Sequence, residues 1–245
     1  ELCEAGDNFV QERVKSVFKK IKKMPKGLAF PTCVNVNEIV CHFSPLNEDQ
    51  TVLQKGDSVR FDVGVHVDGY IAVGATTVVL EEGVLEGVKA DVLAAAQTAL
   101  EVAKRLVKPG HTNVEVSKAI NQVATDFGVN ACEGVLSHEM KRFVIDGNNV
   151  ILLKPTADHT VDEFTFEENQ VFSLDIVVSS GEGKLSERTH KPTIYKRNPA
   201  VIYNLKNQSS KNFLKDIQTR FNTLPFSMRH VDRKVGGMGL IECFR

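Results

Sequence analysis

The alternating stretch at residues 57–73 constrains the fold most, because it predicts a two-stranded hairpin. Its Asp68-Gly69 turn tolerates the positive φ that a two-residue hairpin connection requires. Successive side chains of a strand point to opposite faces, so the odd-numbered residues of 59–67 form an apolar face and the even-numbered residues a polar one. The turn also sets which residues lie opposite each other, and the fold must accommodate both faces.

The polar face of this hairpin brings one carboxylate close to a position that could hold a second. The register places Asp62 opposite Ala75, so Val73 lies on the same face within about 8 Å of Asp62. If both positions were acidic, their carboxylates would converge. The ligands of a two-metal site converge in this way around two ions that lie about 3.5–4 Å apart. Valine cannot hold a hard cation, and one aspartate supplies too few ligands. The alternative role for Asp62 is that of a polar residue bonded to backbone in a half-buried strand.

Helices and further strands accompany the hairpin. Apolar residues spaced three and four apart predict four helices, at 8–23, 85–107, 112–127 and 209–222. Runs rich in β-branched residues predict strands at 150–153, 171–178 and 191–196, with a last short strand at 240–244. Asp7 is the predicted N-cap of the first helix, and residues 28–43 are expected to be irregular strand and loop. This mixture indicates an α+β fold.

Charge is unevenly distributed along a chain whose formal net charge is −1. Residues 1–183 carry 17 Lys and Arg against 27 Asp and Glu, whereas residues 184–245 carry 13 against 4. The basic end predicts a surface that faces a polyanion, and the alternative is chance clustering on a solvated face.

Composition narrows the class of protein. The sequence contains no stretch of about 20 apolar residues, so no membrane span is predicted. The five cysteines form no Cys-x-x-Cys pair and are odd in number. We therefore expect a reduced intracellular protein rather than a disulfide framework or a thiolate zinc site.

Several segments resemble the eukaryotic-type methionine aminopeptidases. Residues 61–69 resemble their first metal-binding hairpin, and residues 41–45 resemble their substrate-pocket segment, with His42 at the substrate-contacting position. His138 stands where that family has a metal-binding His, and Asp175 stands where it has a metal-binding Glu.

The chain is more similar still to the proliferation-associated proteins, relatives that keep the fold without aminopeptidase activity. The segments that carry this similarity are 27–32, 42–46, 178–184, 193–197 and 224–226. The resemblance implies an α+β pita-bread (creatinase/aminopeptidase) fold with a small basic helical insert. The implied domains are a pita-bread domain at 1–197, a basic insert at 198–236 and a return to the main sheet at 237–245. The N-terminal helix and the last C-terminal strands of the family are expected to be absent from this chain.

The same resemblance implies that the protein is not an enzyme. Val73 replaces one metal ligand and Asp175 replaces a Glu, which leaves Asp62, Val73, His138 and Asp175 as vestigial positions with no catalytic residue, metal or other cofactor. Two alternatives stay open. One is a metal-dependent aminopeptidase with an altered site, and the other is a protein adaptor that holds a peptide terminus in a pocket containing His42 and His66. For both histidines, a purely structural hydrogen-bonding role is a further alternative.

The resemblance also implies association with structured RNA, ribosomal RNA of the large subunit in particular. It implies roles in ribosome biogenesis, translation control and growth regulation, a place in the cytoplasm, nucleus and nucleolus, protein partners in growth signalling, and a monomeric state without membrane contact. The candidate RNA-binding cations are Lys206, Lys211, Lys215, Arg220, Arg229, Arg233, Lys234, Lys19, Lys20, Lys22 and Lys23. The amides of Ser209 and Ser210 at a helix start are a further expected phosphate contact. For the lysines at 19–23, compensation of a helix dipole is the alternative.

Overall fold

The computed structural model describes residues 1–187 and 192–244, which divide into two compact units. Unit 1 contains Glu1–Leu80, Arg142–Val144 and the C-terminal part of the chain, of which residues 192–244 are described. Unit 2 contains Glu81–Lys141 and the stretch that starts at Ile145, of which residues 145–187 are described.

Unit 1 is built on an antiparallel sheet of three strands in the order β1-β2-β3. The strands are β1 (Lys26–Val36), β2 (Ser58–Val67) and β3 (Tyr70–Val79). Asp62 pairs with Ala75 across the hairpin, so the predicted register is confirmed. Asp68 and Gly69 have φ values of 52° and 82°, as the turn requires. The expectation of irregular strand and loop at 28–43 is confirmed, because β1 ends at Val36, its pairing with β2 is interrupted by two register shifts, and residues 37–43 form turns and loop.

Helix α1 (Leu2–Ser16) packs on β1 and differs from its prediction at both ends. The predicted helix at 8–23 starts six residues too late and extends past Ser16. Asp7 is not an N-cap, because it lies inside the helix and is buried. The buried side chains of Cys3, Val34 and Val59 form the core between helix and sheet.

The C-terminal part of unit 1 folds around its own aromatic core. Its elements are β9 (Ile194–Tyr195), α4 (Gln208–Arg220), β10 (Phe226–Ser227), a 3-10 turn (Met228–His230) and α5 (Arg233–Cys243). The core side chains are Phe213, Ile217, Phe221 and Phe226. The predicted helix at 209–222 is confirmed as α4, and the strand predicted at 191–196 is confirmed only as β9.

The strand predicted at 240–244 is wrong, and with it the return of 237–245 to the main sheet. Residues 237–243 lie in α5, whose Asp232 cap accepts hydrogen bonds from the backbone N–H groups of Lys234 and Val235 at 3.0 Å. Gly239 lets α5 approach α4 closely, because a Cβ there would lie 2.3 Å from the Phe213 ring. Lys191 and Arg245, at the ends of the predicted ranges, lie outside the described residues. The domain boundaries at 197 and 236 stay predictions.

Unit 2 packs two helices on two small antiparallel sheets. The helices are α2 (Val88–Leu106) and α3 (Asn113–Asp126), and both confirm their predictions to within three residues. The strands are β4 (Asn130–Ala131), β5 (Leu136–Met140), β6 (Val150–Leu152), β7 (Val171–Ser173) and β8 (Val178–Ser179). In one sheet β5 lies between β6 and β7, and in the other β4 pairs with β8. The strand predicted at 171–178 is therefore two short strands in different sheets.

Three alanines of α2 explain how closely the helices of unit 2 approach. Ala95, Ala99 and Ala103 lie on one face, four residues apart, and are fully buried against α3 residues that include Val116 and Ile120. Over the described residues, none of the helices is both long and apolar enough to span a bilayer.

Candidate nucleic-acid interface and the altered metal site

Asp62 is the carboxylate of unit 1 at a predicted vestigial metal position. Its Oδ2 accepts a hydrogen bond of 2.5 Å from Nδ2 of the buried Asn35. The Asn35 Oδ1 in turn accepts from the backbone N–H of Phe43 at 2.6 Å, which ties the strand to the loop at 41–45. Burial raises the pKa of Asp62, and the hydrogen bond from Asn35 acts in the opposite direction. The amide of Asn35 thus occupies one of the two carboxylate oxygens of Asp62.

Val73 stands near Asp62 as the hairpin register predicts. The pairs Gly64–Val73 and Asp62–Ala75 make the two side chains diagonal neighbours on adjacent strands. Val73 is 38% exposed and supplies no donor atom.

The two histidines predicted to line a pocket occupy different environments. His66 is buried, and its Nδ1 accepts the backbone N–H of Gly69 at 3.2 Å, so the ring supports the hairpin turn. Its ring also lies 5.8 Å from that of Phe143, centroid to centroid. His42 is exposed and its ring lies 4.7 Å from that of Phe30. The alternative of a structural hydrogen bond accounts for His66, and the pocket role of His42 stays a prediction.

The other two vestigial positions lie in unit 2 and face each other. Nε2 of His138 lies 3.6 Å from Oδ2 of Asp175. Ser137, the preceding residue on β5, accepts the backbone N–H of Asp175 at 2.8 Å through its Oγ. Both adjacent residues therefore contact Asp175, Ser137 at its backbone and His138 at its carboxylate, and Ser137 takes a structural role.

Among the described residues, neither unit by itself supplies the donors of the aminopeptidase metal cluster to which these four positions correspond. Within either unit, over the described residues, no three His, Cys, Asp or Glu side chains come together as a metal site needs. Unit 1 offers Asp62 with its oxygen bonded to an amide, and unit 2 offers one His and one Asp. A hard divalent cation requires more oxygen ligands in fixed geometry, so no catalytic step through a metal follows from this donor set.

Four lysines in the C-terminal part of unit 1 (residues 192–244, called the C-terminal module below) are exposed. They are Lys206, Lys211, Lys215 and Lys234. None of these ammonium groups pairs with an acidic side chain elsewhere in the part of the chain that the structure describes. Lys211 and Lys215 are one helical turn apart on α4, so they share a face.

The three arginines predicted with these lysines are already engaged. Arg229 is not available to a phosphate, because its side chain is 8% exposed and its Nη2 lies 2.6 Å from Oδ2 of Asp7. Its inclusion among the nucleic-acid contacts is wrong. Arg220 pairs with Asp216 at 3.0 Å and Arg233 pairs with Glu48, although both arginine side chains remain partly or largely exposed.

The expected phosphate contact at the amides of Ser209 and Ser210 stays a prediction, but a carboxylate lies at the same helix start. The backbone N–H groups of Lys206 and Asn207, just before α4, donate to the carboxylate of Glu242 from α5, at 2.5 and 3.3 Å. This carboxylate neutralises the positive end of the α4 dipole. Ser210 is fully buried.

The lysines at 19–23 lie beyond α1 and not in it. Lys19, Lys20, Lys22 and Lys23 are all exposed in the turns that follow the helix end at Ser16. Their proposed role in dipole compensation is therefore weakened, because the dipole acts within the last turn of a helix. Phe18 and Ile21 beside them are 58% and 50% exposed.

Charge also differs in sign between the two structural units. The described residues of unit 1 include 19 Lys and Arg against 13 Asp and Glu. Those of unit 2 include 8 against 18. The exposed lysines of the C-terminal module and those at 19–23 both belong to unit 1.

A buried ionic cluster that the sequence did not reveal holds α1 to the C-terminal module. The Asp7 Oδ1 accepts a hydrogen bond from the backbone N–H of Thr32 at 2.7 Å. Its Oδ2 accepts one from the Arg229 Nη2 at 2.6 Å and one from the His230 Nε2 at 2.8 Å. The His230 Nδ1 accepts the backbone N–H of Ser227 at 3.3 Å, which assigns the ring proton to Nε2. Burial opposes ionisation of Asp7, but the hydrogen bonds from His230, Thr32 and Arg229 outweigh it and lower the pKa.

Comparison with known proteins identifies the family. Residues 7–198 match the model of metallopeptidase family M24. The chain belongs to this family. The α+β pita-bread fold predicted from the sequence is thereby confirmed. The fold is similar to the solved structure of a thermophilic Arx1, with a TM-score of 0.90 at 27% identity, and the match covers 100% of this chain and 72% of that protein.

Within family M24, the resemblance to the proliferation-associated proteins is confirmed. The chain is 49% identical over 247 residues to "ERBB-3 binding protein 1" of Solanum tuberosum and 44% identical over 245 residues to "Proliferation-associated protein A" of Dictyostelium discoideum. It is 40% identical over 251 residues to the "Curved DNA-binding protein" of Schizosaccharomyces pombe. Each match covers 99% of this chain and, in the same order, 63%, 64% and 65% of the relative. The chain therefore spans less than two thirds of the length of these curated relatives, and none of their names denotes a peptidase.

Proposed function

We propose that this chain is a non-catalytic M24 protein that binds structured RNA through the exposed lysines of unit 1. The observation that carries the proposal is the separation of charge between the units, with a cationic excess on unit 1 and an anionic excess on unit 2. An RNA backbone is attracted to the first and repelled by the second.

The chemistry of the lysines suits a phosphate backbone and little sequence readout. Each ammonium group that replaces a condensed counterion contributes to affinity independently of the base sequence. The name of the fission yeast relative refers to a nucleic acid, which supports a polyanion as the ligand. We further propose ribosomal RNA of the large subunit as the target, on the strength of the family resemblance.

A salt series tests the proposal. Binding of the 245-residue chain to a labelled ribosomal RNA hairpin should weaken linearly in log–log form between about 50 and 200 mM salt. The double variant Lys211→Glu/Lys215→Glu should bind more weakly and lower the slope by about 2, one unit for each lost phosphate contact. Lys118→Glu on α3 is the matched control, because Lys118 is an exposed helical lysine of unit 2. Binding without a salt slope, or equal losses in both variants, would contradict the proposal.

The absence of peptidase activity is a part of this proposal. Its support is the donor set of Asp62, Val73, His138 and Asp175, which is too poor in oxygen ligands within either unit. The names of the relatives agree with it. We also propose a monomer that acts in the cytoplasm, nucleus and nucleolus in ribosome biogenesis, translation control and growth regulation.

A protein adaptor is the second candidate function. The potato relative is named as a binding protein for ERBB-3, which favours protein partners for this family as well. His42 and its neighbour Phe30 are the residues that we expect to contact a peptide terminus in that case. Competition between a peptide and the RNA hairpin for the same chain would favour this candidate.

A further inference from the structure

A small pocket beside α4 combines an apolar floor with the two lysines of that helix. Its volume is about 160 Å³. It is lined by Tyr203, Leu205, Lys211, Leu214, Lys215 and Gln218. All of these residues belong to unit 1, and Leu205, Leu214 and Tyr203 are half-buried while both lysines are exposed.

The tyrosine of this pocket is held in place before any ligand arrives. The Tyr203 Oη accepts the backbone N–H of Asn198 at 3.0 Å. The side chain of Asn198 accepts the N–H of Ala200 at 3.0 Å, which fixes the segment that donates to Tyr203. A ring fixed in this way loses little conformational entropy when a flat ligand stacks on it.

The two lysines carry a cost that an anion would offset. Lys211 and Lys215 are four residues apart on α4, and like charges at this spacing destabilise a helix. The acidic side chain nearest in sequence, Asp216, pairs with Arg220 and not with either lysine.

The size of the pocket decides which ligand fits. Pockets for drug-sized molecules and cofactors measure about 300–1,000 Å³, so this one holds a single flat ring system with the rest of the ligand outside. An unpaired base of RNA places one ring system next to two phosphates, and Gln218 offers both a donor and an acceptor to the base edge. Phosphopeptide sites use arginine forks for bidentate contacts, whereas lysine suits the phosphate backbone as a point charge.

We propose that this pocket binds one unstacked base of single-stranded or looped RNA, with Tyr203 against the base and Lys211 and Lys215 on the flanking phosphates. The inference rests on the proposed function and adds to it the kind of RNA, namely RNA with an unpaired nucleotide. Fully paired RNA engages the lysines but leaves the pocket empty.

The test compares a 12-nucleotide single strand that carries 2-aminopurine with the blunt duplex of the same sequence. Tyr203→Ala should weaken binding of the single strand by about 5- to 150-fold, because one base–aromatic contact is lost. It should leave duplex affinity and both salt slopes unchanged, since no charge is removed. Tyr203→Phe keeps the ring but loses the hydrogen bond from Asn198, so it should lose much less affinity for the single strand than Tyr203→Ala does. Tyr70→Ala removes a tyrosine that is 67% exposed on β3 of the same unit and should have no effect.

The fluorescence of 2-aminopurine gives a second readout that does not depend on the variants folding. The wild-type chain should quench the label in the single strand through stacking and leave the duplex signal unchanged. Unchanged fluorescence on binding, or equal losses for single strand and duplex in Tyr203→Ala, would overturn the pocket while the RNA-binding function stands. So would displacement of the strand by a phosphotyrosyl peptide that binds more tightly than RNA. Failure of the wild type to bind either RNA would overturn both proposals.

Discussion

Replacing Asp7 by Asn should destabilise the protein strongly, although the change removes one charge and almost no volume. The carboxylate is buried with the Arg229 side chain, and the two groups are 5% and 8% exposed. Arg229 also donates to the Ser44 Oγ at 2.5 Å and to the Pro45 carbonyl at 3.2 Å, so it cannot swing out to water without losing both bonds.

The magnitude follows from the charge that remains. Breaking a buried ion pair by removing one partner costs about 3–5 kcal/mol, because the other charge stays buried without compensation. That is a large share of the roughly 5–15 kcal/mol that holds a typical domain folded. Replacing both partners by apolar residues, as in Asp7→Leu/Arg229→Met, should cost less than Asp7→Asn alone, since no lone charge remains.

Urea unfolding followed by far-UV circular dichroism measures these differences. Glu12→Gln is the control, because Glu12 is an exposed acid of the same helix whose pair with Lys15 should contribute nothing measurable. Loss of less than about 1 kcal/mol in Asp7→Asn, or a double variant less stable than the single one, would refute the argument. The pKa of Asp7 is lowered in the fold, so its contribution is present above about pH 4 and is lost as the pH falls through the folded value.

Three further predictions concern pH, backbone conformation and metal. Burial lowers the pKa of His66, so below about pH 6.5 the unfolded chain binds more protons than the folded chain does, and the free energy of unfolding should fall there with decreasing pH. His66→Gln should flatten this pH dependence, as measured by urea unfolding. Gly69→Ala should lower the free energy of unfolding by about 2–4 kcal/mol, because the backbone is left-handed there and the added Cβ would lie 2.3 Å from the Phe143 ring. Gly74→Ala, whose Cβ would enter open space on β3, should change the urea midpoint little. Addition of Co²⁺, Mn²⁺ or Zn²⁺ should not raise the thermal midpoint, and the chain should release no Met from a Met-Ala-Ser peptide. A metal-dependent rise with turnover would restore the aminopeptidase alternative.

Local chemistry explains which parts of the fold were predictable. The register of β2 and β3 was correct because Asp68-Gly69 restricts the turn to one geometry, and the alternating faces then follow without tertiary information. The apolar spacing predicts helix α3 closely, and the structure adds a capping box of Thr112 and Glu115 at its start, a signal that is local in the sequence.

The errors arose where a partner distant in sequence decides the conformation or the environment. Asp7 has the residue type of an N-cap, but its partners Arg229 and His230 lie more than 220 positions away. Arg229 belongs to a basic segment in sequence, and only the fold shows that its charge is neutralised.

A helix-start signal precedes the segment at 240–244, for which the sequence predicts a strand. Asp232 precedes α5 as an N-cap, and this residue type at a helix start was readable from the sequence. The apolar run at 240–244 instead favoured a strand, because short apolar runs do not distinguish the two structures. In the structure residues 240–243 are helical, and Gly239 packs on Phe213.

Photo-cross-linking of the chain to ribosomal RNA, with the attached peptides mapped by mass spectrometry, tests the central claim most directly. Cross-links should concentrate in unit 1, at residues 203–234 and at 17–26, where the exposed lysines lie. Unit 2, with 18 acidic against 8 basic described residues, should carry few. Cross-links concentrated at residues 81–141 or 145–187 would contradict the account.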